Sequence, residues 1–155
     1  KIRKNGRFSE TIINFPMGHR FDVTGPLGYF TYHKSKNLGL FVATGTGISP
    51  FVAFCRSQIA KALLIHGVES ADQLVYRPLL QGAVKSYIPC IKDIHHNSAK
   101  ESNVFIGRVT DYLARELAPG NYDFYLCGNG KMIRDATALI DDRFESSRVY
   151  IENFD

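Results

Sequence analysis

The sequence predicts an α/β protein with an open, five-stranded parallel sheet and helices on both of its faces. From residue 38 onward, short apolar runs alternate with helical stretches, which is typical of parallel strands joined by crossover helices. The apolar runs are continuous, as expected for strands buried on both faces. The 155 residues, 45% hydrophobic and 22% charged, suffice for one buried core.

The first predicted strand, Leu38–Thr44, is followed by a helix that we expect from Ser49, as its N-cap, to about residue 59, with Pro50 in its first turn. The alternation continues with strands at residues 62–65, 86–91, 122–127 and 148–151, and with helices at 78–84, 110–117 and 131–144. Residues 93–103 are polar and are predicted to form a loop.

Residues 1–36 have a different character. Two short strands are predicted at 1–4 and 21–25, with a helix at 9–15 between them, and this segment is too small for a core of its own. It holds seven basic and two acidic residues, a net charge of +5, whereas the remaining 119 residues carry −1. A basic arm indicates a nucleic acid, a phosphate-bearing cofactor or an acidic partner. Nucleic acid is disfavoured, because no zinc-finger, helix-turn-helix or ribonucleoprotein motif is present.

The three cysteines, Cys55, Cys90 and Cys127, are widely spaced and form no Cys-x-x-Cys pair. This disfavours a disulfide framework or a zinc site and fits a reducing compartment, so we expect the cytoplasm. No apolar run approaches the roughly 20 residues of a membrane span. The basic start without Met or a following apolar stretch is not a signal peptide, and we expect the chain to continue a longer one.

Two glycine turns follow predicted strands at positions where open parallel sheets bind ligands. Residues 44–50 read Thr-Gly-Thr-Gly-Ile-Ser-Pro and residues 127–132 read Cys-Gly-Asn-Gly-Lys-Met. If the strand order is 3-2-1-4-5, the two turns face each other across a slot. Glycines let a ligand approach the backbone, and a helix start offers N–H groups to a phosphate. Taken alone, the first turn is more simply a tight connection and the second the end of a core strand, but the two together favour a ligand site.

Two further segments accompany these turns: Gly25-Pro-Leu-Gly-Tyr-Phe30 precedes them and Glu152-Asn-Phe154 follows them. The order and spacing of the four segments resemble those of the ferredoxin–NADP reductase family, and the resemblance covers essentially the whole chain. The resemblance implies that residues 1–36 are the carboxyl-terminal piece of an antiparallel FAD-binding β-barrel with its linker. Residues 37–155 would then be the NAD(P)-binding domain. It implies an oxidoreductase that passes hydride from NAD(P)H to FAD, and electrons onward to an iron–sulfur protein or another protein or small acceptor. The family's Arg-x-Tyr-Ser/Thr flavin motif is absent upstream of Gly6, so we do not expect this chain alone to hold FAD.

The resemblance also implies the site residues. Thr44, close to the flavin, and Cys127, packed on the nicotinamide, are the implied catalytic residues. The pyrophosphate and nicotinamide end of NAD(P)H is assigned to Thr44, Gly45, Thr46, Gly47, Ile48, Ser49 and Pro50, and to the facing Cys127, Gly128, Asn129 and Met132. The adenosine half is assigned to His66, Gly67, Val68 and Glu69, the FAD pyrophosphate to Gly6, Arg7, Phe8 and Ser9, and the flavin border to Glu152 and Phe154.

Other interpretations remain at this point. A non-catalytic NAD(P)-binding module or subunit of a larger electron-transfer complex fits both turns equally well. The Tyr-x-x-x-Lys spacing at residues 32–36 matches short-chain dehydrogenases but precedes the first strand, so we interpret it as a solvated linker. His95 and His96 near Asp93 are interpreted as a polar loop, because adjacent histidines point apart. Glu69 disfavours a second phosphate and so slightly favours NADH, although Lys92, Lys100 or His95 could offset it.

Overall fold

The computed structural model describes residues 7–25, 27–57, 61–92 and 103–153. The strands are β1 (Leu38–Thr44), β2 (Ala62–Val68), β3 (Ser86–Ile91), β4 (Phe105–Ile106), β5 (Tyr122–Gly128) and β6 (Arg148–Asn153). The helices are α1 (Arg7–Ile13), α2 (Ser49–Arg56), α3 (Arg77–Ala83), α4 (Val109–Arg115) and α5 (Gly130–Arg143).

The six strands form one parallel sheet in the order β4-β3-β2-β1-β5-β6. The five predicted strands and their order, 3-2-1-4-5, are confirmed. The additional strand β4 has two residues and pairs with Cys90 and Ile91 at the edge of the sheet. A strand this short has no measurable period in the sequence, which is why it was not predicted.

Both faces of the sheet are buried, and this explains the continuous apolar runs. In β1, Phe41 and Ala43 pack on one face with residues of α2 and α3, such as Phe51 and Leu80. The alternate residues of β1 pack on the other face with residues of α4 and α5, among them Leu113 and Ile133. Successive side chains of a strand point to opposite faces, so every position of β1 between its ends is apolar or glycine.

The start of α2 differs from the prediction. A 3-10 turn (Gly45–Ile48) comes directly after β1, and Ile48 is the N-cap of α2. Ser49 is therefore the first helical residue and not the N-cap, and the N-cap Ile48 makes no side-chain capping hydrogen bond. The helical N–H groups thus begin at the end of β1, nearer to the sheet than predicted. By contrast, Asn129 caps α5 through its Oδ1, which accepts from the N–H groups of Lys131 and Met132.

The segment before β1 is the part of the fold that the sequence predicted least well. The strand predicted at 21–25 is wrong, because the described residues between 7 and 37 contain no strand. A strand needs a neighbour for its backbone hydrogen bonds, and none of the described strands lies beside this segment. The helix predicted at 9–15 is present as α1, two residues earlier. Residues 1–4 lie outside the described residues, as do His95, His96 and most of the predicted loop at 93–103.

The interpretation of residues 32–36 as a solvated linker holds only in part. Tyr32 is half-buried and stacks on Tyr125 with ring centroids 5.6 Å apart, and Ser35 donates a hydrogen bond to buried Asp123. Within the described residues, no helix has the length and apolar character to cross a bilayer. No group of three or more potential metal ligands occurs in the same part of the chain.

Candidate functional site

The turns that follow β1 and β5 are in direct contact. Ala43 and Cys127 are paired in the sheet, and the backbone N–H of Asn129 donates to Thr44 Oγ1 at 3.2 Å. Gly128 has a φ of +136°, and a Cβ built on it would lie 2.4 Å from Thr44 Oγ1 and 2.6 Å from the Thr44 carbonyl oxygen. Only glycine permits this approach, so the slot expected between the two segments is closed at its base by backbone packing.

The two glycines of the first turn have different surroundings. A Cβ on Gly47 would lie 2.2 Å from the carbonyl oxygen of Cys127 and 2.6 Å from the Cα of Gly128. Gly47 therefore holds the turn against β5. Gly45 has a φ of +56° and no atom within 4 Å of its Cβ position, and it is exposed. Open backbone for a ligand is thus offered at Gly45, whereas Gly47 is required for packing.

The first turn presents a cluster of polar groups at the point where the strand order reverses. The first N–H groups of a helical segment have no partner within it, and here they belong to the 3-10 turn that starts at Gly45. Thr46 and Ser49 are exposed, while Ile48 is buried in the core and anchors the turn. N–H groups arranged in this way bind anions, and the chemistry fits a pyrophosphate.

Cys127 lies at the end of β5 with its side chain fully buried. Burial, together with the nearby charge of Glu152, raises the pKa of its thiol to about 12. Glu152 is the partner of Cys127 in the β5–β6 ladder. The thiol is therefore protonated at neutral pH, and its contribution to a site is shape and polarisability, not proton transfer or nucleophilic attack.

His66 does not lie at a surface where the adenosine half of a dinucleotide could touch it. Its side chain is fully buried, and its Nδ1 is hydrogen-bonded to Tyr87 Oη at 2.8 Å. Its Nε2 has no hydrogen-bond partner among the described residues, and burial lowers the pKa of the imidazole to about 4. The family resemblance assigned His66 to the adenosine half, but its side chain lies in the core, where it is hydrogen-bonded to Tyr87 of β3.

Of the other residues assigned to the adenosine half, Glu69 is the most exposed. Gly67 is half-buried, and a Cβ on it would lie 2.6 Å from Val109 Cγ1, so it serves packing. Glu69 directly follows β2 and forms an ion pair with Lys92, which directly follows β3. A charged pair thus stands at the carboxyl edge of the sheet, two strands from β5.

A groove beside α2 was not predicted from the sequence. It has a volume of about 440 Å³ and is lined by Ser49, Val52, Ala53, Arg56 and Tyr76. Tyr76 has a left-handed backbone (φ 60°, ψ 12°) and a half-exposed ring. Such a conformation in a non-glycine residue is strained and is often found at functional sites. Pro78 in the sequence marked the start of α3, but no pattern indicated the strained tyrosine before it.

The residues assigned to FAD are only partly described. Phe8 lies on α1 and is exposed, and Glu152 is half-buried near the end of β6. Gly6 and Phe154 lie outside the described residues, and of the side chains of Arg7 and Ser9 nothing is described. The flavin assignments therefore stay predictions.

A parallel α/β sheet with two glycine turns packed together where the strand order reverses defines a nucleotide-binding domain of the doubly wound class. Residues 41–138 match the family model of the oxidoreductase NAD-binding domain. The chain belongs to this family, and the membership in the ferredoxin–NADP reductase group expected from the sequence is confirmed.

Curated relatives lie in the same group. The flavodoxin/ferredoxin–NADP reductase of Buchnera aphidicola is 28% identical over 150 residues, covering 84% of this chain and 58% of that protein. NADH-cytochrome b5 reductase 1 of Eremothecium gossypii is 25% identical, covering 90% and 53%. The toluate 1,2-dioxygenase electron transfer component of Pseudomonas putida is 29% identical, covering 89% and 43%. The chain spans about half the length of these relatives.

Proposed function

We propose that this chain binds NAD(P)H and orients it for hydride transfer to FAD in a flavin-dependent oxidoreductase, from which electrons pass to a protein or small acceptor. The observation that carries the proposal is the close packing of the turn at residues 44–47 against Cys127 and Gly128, at the reversal of the strand order. The names of the relatives, which include reductases and electron transfer components, support the same chemistry. An iron–sulfur protein is one acceptor that fits this proposal.

In this function the chain's own residues bind and orient. The N–H groups of the 3-10 turn receive the pyrophosphate, and open Gly45 lets it approach the backbone. Thr44 is held by the hydrogen bond from Asn129, so the end of β1 is fixed beside β5. When both cofactors are bound, the hydride transfer is the chemistry of the nicotinamide and flavin rings, and the role of the protein is to align the two rings.

The protonation states near the slot suit this chemistry. Cys127, with its pKa raised to about 12, and His66, with its pKa lowered to about 4, are both uncharged at neutral pH. Hydride transfer needs no protein base. Because the Cys127 side chain is fully buried in the core, we assign it a steric role beneath the nicotinamide site, where it fixes the end of β5, and not a surface contact with the ring. Cys127→Ala in flavin-loaded protein is expected to slow flavin reduction more than it weakens dinucleotide binding.

The groove beside α2 is proposed to take the adenine. Its volume of about 440 Å³ lies in the range of small-molecule sites. The half-exposed ring of Tyr76 offers a flat apolar surface for a base, and Ser49 connects the groove to the first turn. The strained backbone of Tyr76 would then be maintained because it aims this ring.

The proposal divides the chain as the sequence predicted, into a piece of the flavin-binding barrel with its linker at 1–36 and an NAD(P)-binding domain at 37–155. Several large apolar side chains before residue 30 are exposed, Met17 fully and Tyr29 at 97%. Such a number of exposed apolar side chains in one short segment favours a surface that another part of a protein covers. This supports a flavin domain packed against the segment.

The first experiment is a visible absorbance spectrum of the chain after incubation with FAD and removal of the excess. Retained flavin bands that bleach with NADH would support a complete reductase site within this chain. If no flavin is retained, calorimetric binding of NADH would support the proposal that this chain is the NAD(P)-binding half of a reductase. The same result is expected of the second candidate, a non-catalytic NAD(P)-binding module. Absence of both flavin retention and dinucleotide binding would overturn the proposal.

A substitution in the first turn tests whether the pyrophosphate of the dinucleotide binds there, with the same calorimetric measurement. Thr46→Glu places a negative charge at the exposed position beside the proposed pyrophosphate, and we expect it to weaken dinucleotide binding by roughly tenfold or more. Thr24→Glu makes the same change at an exposed residue of the segment before β1 and is the matched control. Equal affinities of the two variants would exclude the first turn as the pyrophosphate site.

A further inference from the structure

The amino ends of the parallel strands carry a group of basic side chains that the proposed function does not use. Because the strands are all parallel, their first residues lie at one edge of the sheet, opposite to the edge with the two glycine turns. Exposed basic residues precede β1, β2 and β3 and begin β6, and we call this group the basic edge: Lys34, Lys36, Lys61, Lys85 and Arg148. We propose that the basic edge docks the protein on an anionic lipid surface.

The fold brings these cations together from distant parts of the sequence. The backbone N–H of Lys85 donates to the carbonyl oxygen of Ala62 at 2.9 Å, so Lys85 lies beside the residue that follows Lys61. Lys36 comes two residues before β1, the next strand of the sheet, and Arg148 begins β6, two strands farther on. The four strand spacings from β3 to β6 amount to about 19 Å. The basic edge is therefore a broad row of charge and not a pocket for one small anion.

The charges of the basic edge are not compensated by the chain itself. In the described part of the chain, none of the five side chains has an acidic group within ion-pair distance. Asp123, in the first turn of the ladder between β5 and β6, is buried and accepts hydrogen bonds from Ser35 and Asn37. Its carboxylate is thus occupied by neutral donors, and the five cations remain available to an external anionic surface.

The acidic residues at this end of the molecule belong to the other helix layer. Asp141 and Asp142 lie in the last turn of α5, and Glu145 follows that helix. All three side chains are exposed. An anionic surface therefore attracts the basic edge and repels the end of α5, which favours one orientation of the docked protein. In that orientation the glycine turns, at the opposite edge of the sheet, face away from the lipid and stay open to a dinucleotide.

The composition of the basic edge favours lipid over a protein partner. The core of a protein interface is apolar or aromatic and is depleted in lysine. Among the described residues, the exposed large apolar side chains lie before residue 30 and, beyond it, at Val75, Tyr76, Ile106 and Ile151. None of these positions belongs to the linker before β1 or to the start of a strand. An anionic lipid surface needs no apolar core, because each lysine or arginine near it adds its own attraction.

The test is co-sedimentation of the 155-residue chain with vesicles of phosphatidylcholine alone or with about 30% phosphatidylserine. We expect binding to the anionic vesicles at about 0.1 M salt, none to the neutral vesicles, and release at about 1 M salt, where charges are screened within about 3 Å. The triple variant Lys36→Gln/Lys61→Gln/Lys85→Gln is expected to lower the partition coefficient by roughly a hundredfold. Because the three side chains are exposed and without acidic partners in the described part of the chain, its urea midpoint should equal that of the parent.

The matched control removes the same charge from exposed positions outside the basic edge, Arg20→Gln/Arg115→Gln/Arg134→Gln, and should keep the parent partition coefficient to within about threefold. Equal partition coefficients of the two triple variants would overturn the proposal. So would binding to neutral vesicles that survives about 1 M salt, since apolar side chains would then make the contact. A parent chain that binds oligothymidylate or polyglutamate but not the anionic vesicles would assign the basic edge to a nucleic acid or an acidic protein instead. None of these results bears on dinucleotide binding, which is measured separately.

Discussion

The sheet from residue 38 onward and the segment before residue 30 contain similar kinds of apolar side chains in opposite surroundings. In β1, the five residues between the two ends are all buried. In the segment, Val23, Leu27 and Phe8 are 86%, 87% and 77% exposed. An apolar residue is buried only where the fold supplies a second surface. The sheet supplies two, from α2 with α3 and from α4 with α5, and the described part of the segment has none.

The boundary between these two regions lies at Phe30. From there the chain packs on the sheet, because Phe30 and Tyr32 are in ring contact with Tyr125. The backbone N–H of His33 donates to Tyr125 Oη at 2.9 Å, and Ser35 donates to Asp123. The boundary predicted near residue 36 marks the change in charge and periodicity, whereas the attachment to the sheet begins about six residues earlier.

The largest expected effect comes from the tightest contact within the sheet region. Gly47→Val places a side chain on the backbone of Cys127 and Gly128, which cannot move without breaking β5. We expect a loss of about 3 kcal/mol or more in the free energy of unfolding, measured by urea denaturation. This differs from a substitution that only blocks a ligand, because the fold itself is weakened.

Gly82→Ala is the matched control for this prediction. Gly82 is an exposed residue of α3 with no atom within 4 Å of its Cβ position, and alanine there is expected to be neutral or to stabilise by up to about 1 kcal/mol. Equal stabilities of the Gly47 and Gly82 variants would show that the two turns are not packed as described.

The second prediction concerns acid stability of the sheet region. His66 is buried, and its pKa is lowered from 6.5 to about 4, so the unfolded state binds a proton more readily than the folded state between these values. The contribution of neutral His66 to the free energy of unfolding is thus fully present above about pH 6.5. It is lost as the pH falls toward 4, by about 3 kcal/mol in total. His66→Gln removes this dependence, so the pH profiles of unfolding of the two proteins should differ in that window. Parallel profiles would mean that His66 is not buried as a neutral base.

The sequence predicted the sheet region well because its physical signals are local. Continuous apolar runs define strands buried on both faces, and β1 was predicted with its observed bounds. The position of the candidate site was predicted from the glycine turns, although Gly47 and Gly128 serve the packing of two backbones and not, as predicted, the approach of a ligand. The left-handed Tyr76, the burial of His66 and the pairing of Glu69 with Lys92 were not predicted, because each depends on side chains that only the completed sheet brings together.

The third prediction tests the attachment of the segment to the sheet. Asp123 is 2% exposed and accepts from Ser35 Oγ at 2.5 Å and from Asn37 Nδ2 at 3.0 Å. Asp123→Ala removes both bonds and is expected to cost about 1–2 kcal/mol of unfolding free energy. It should also speed hydrogen exchange of the Asn37 amide, which donates to Ser35 Oγ. Asp22→Ala, at an exposed residue before the boundary, should change neither quantity, and equal effects of the two would place the attachment elsewhere.

The smallest effect is expected in the segment itself. Replacing Met17 and Val23 with serine removes two of its most exposed apolar side chains, and since neither is buried against the sheet, the free energy of unfolding should change by less than about 0.5 kcal/mol. Phe51→Ala, which empties a fully buried site on the sheet face covered by α2, is the contrasting variant and should cost about 4 kcal/mol. A loss above about 1 kcal/mol in the serine variant would mean that the segment packs on the sheet. A neutral result would mean that these side chains are available to cover another surface, as the proposed flavin-binding barrel requires.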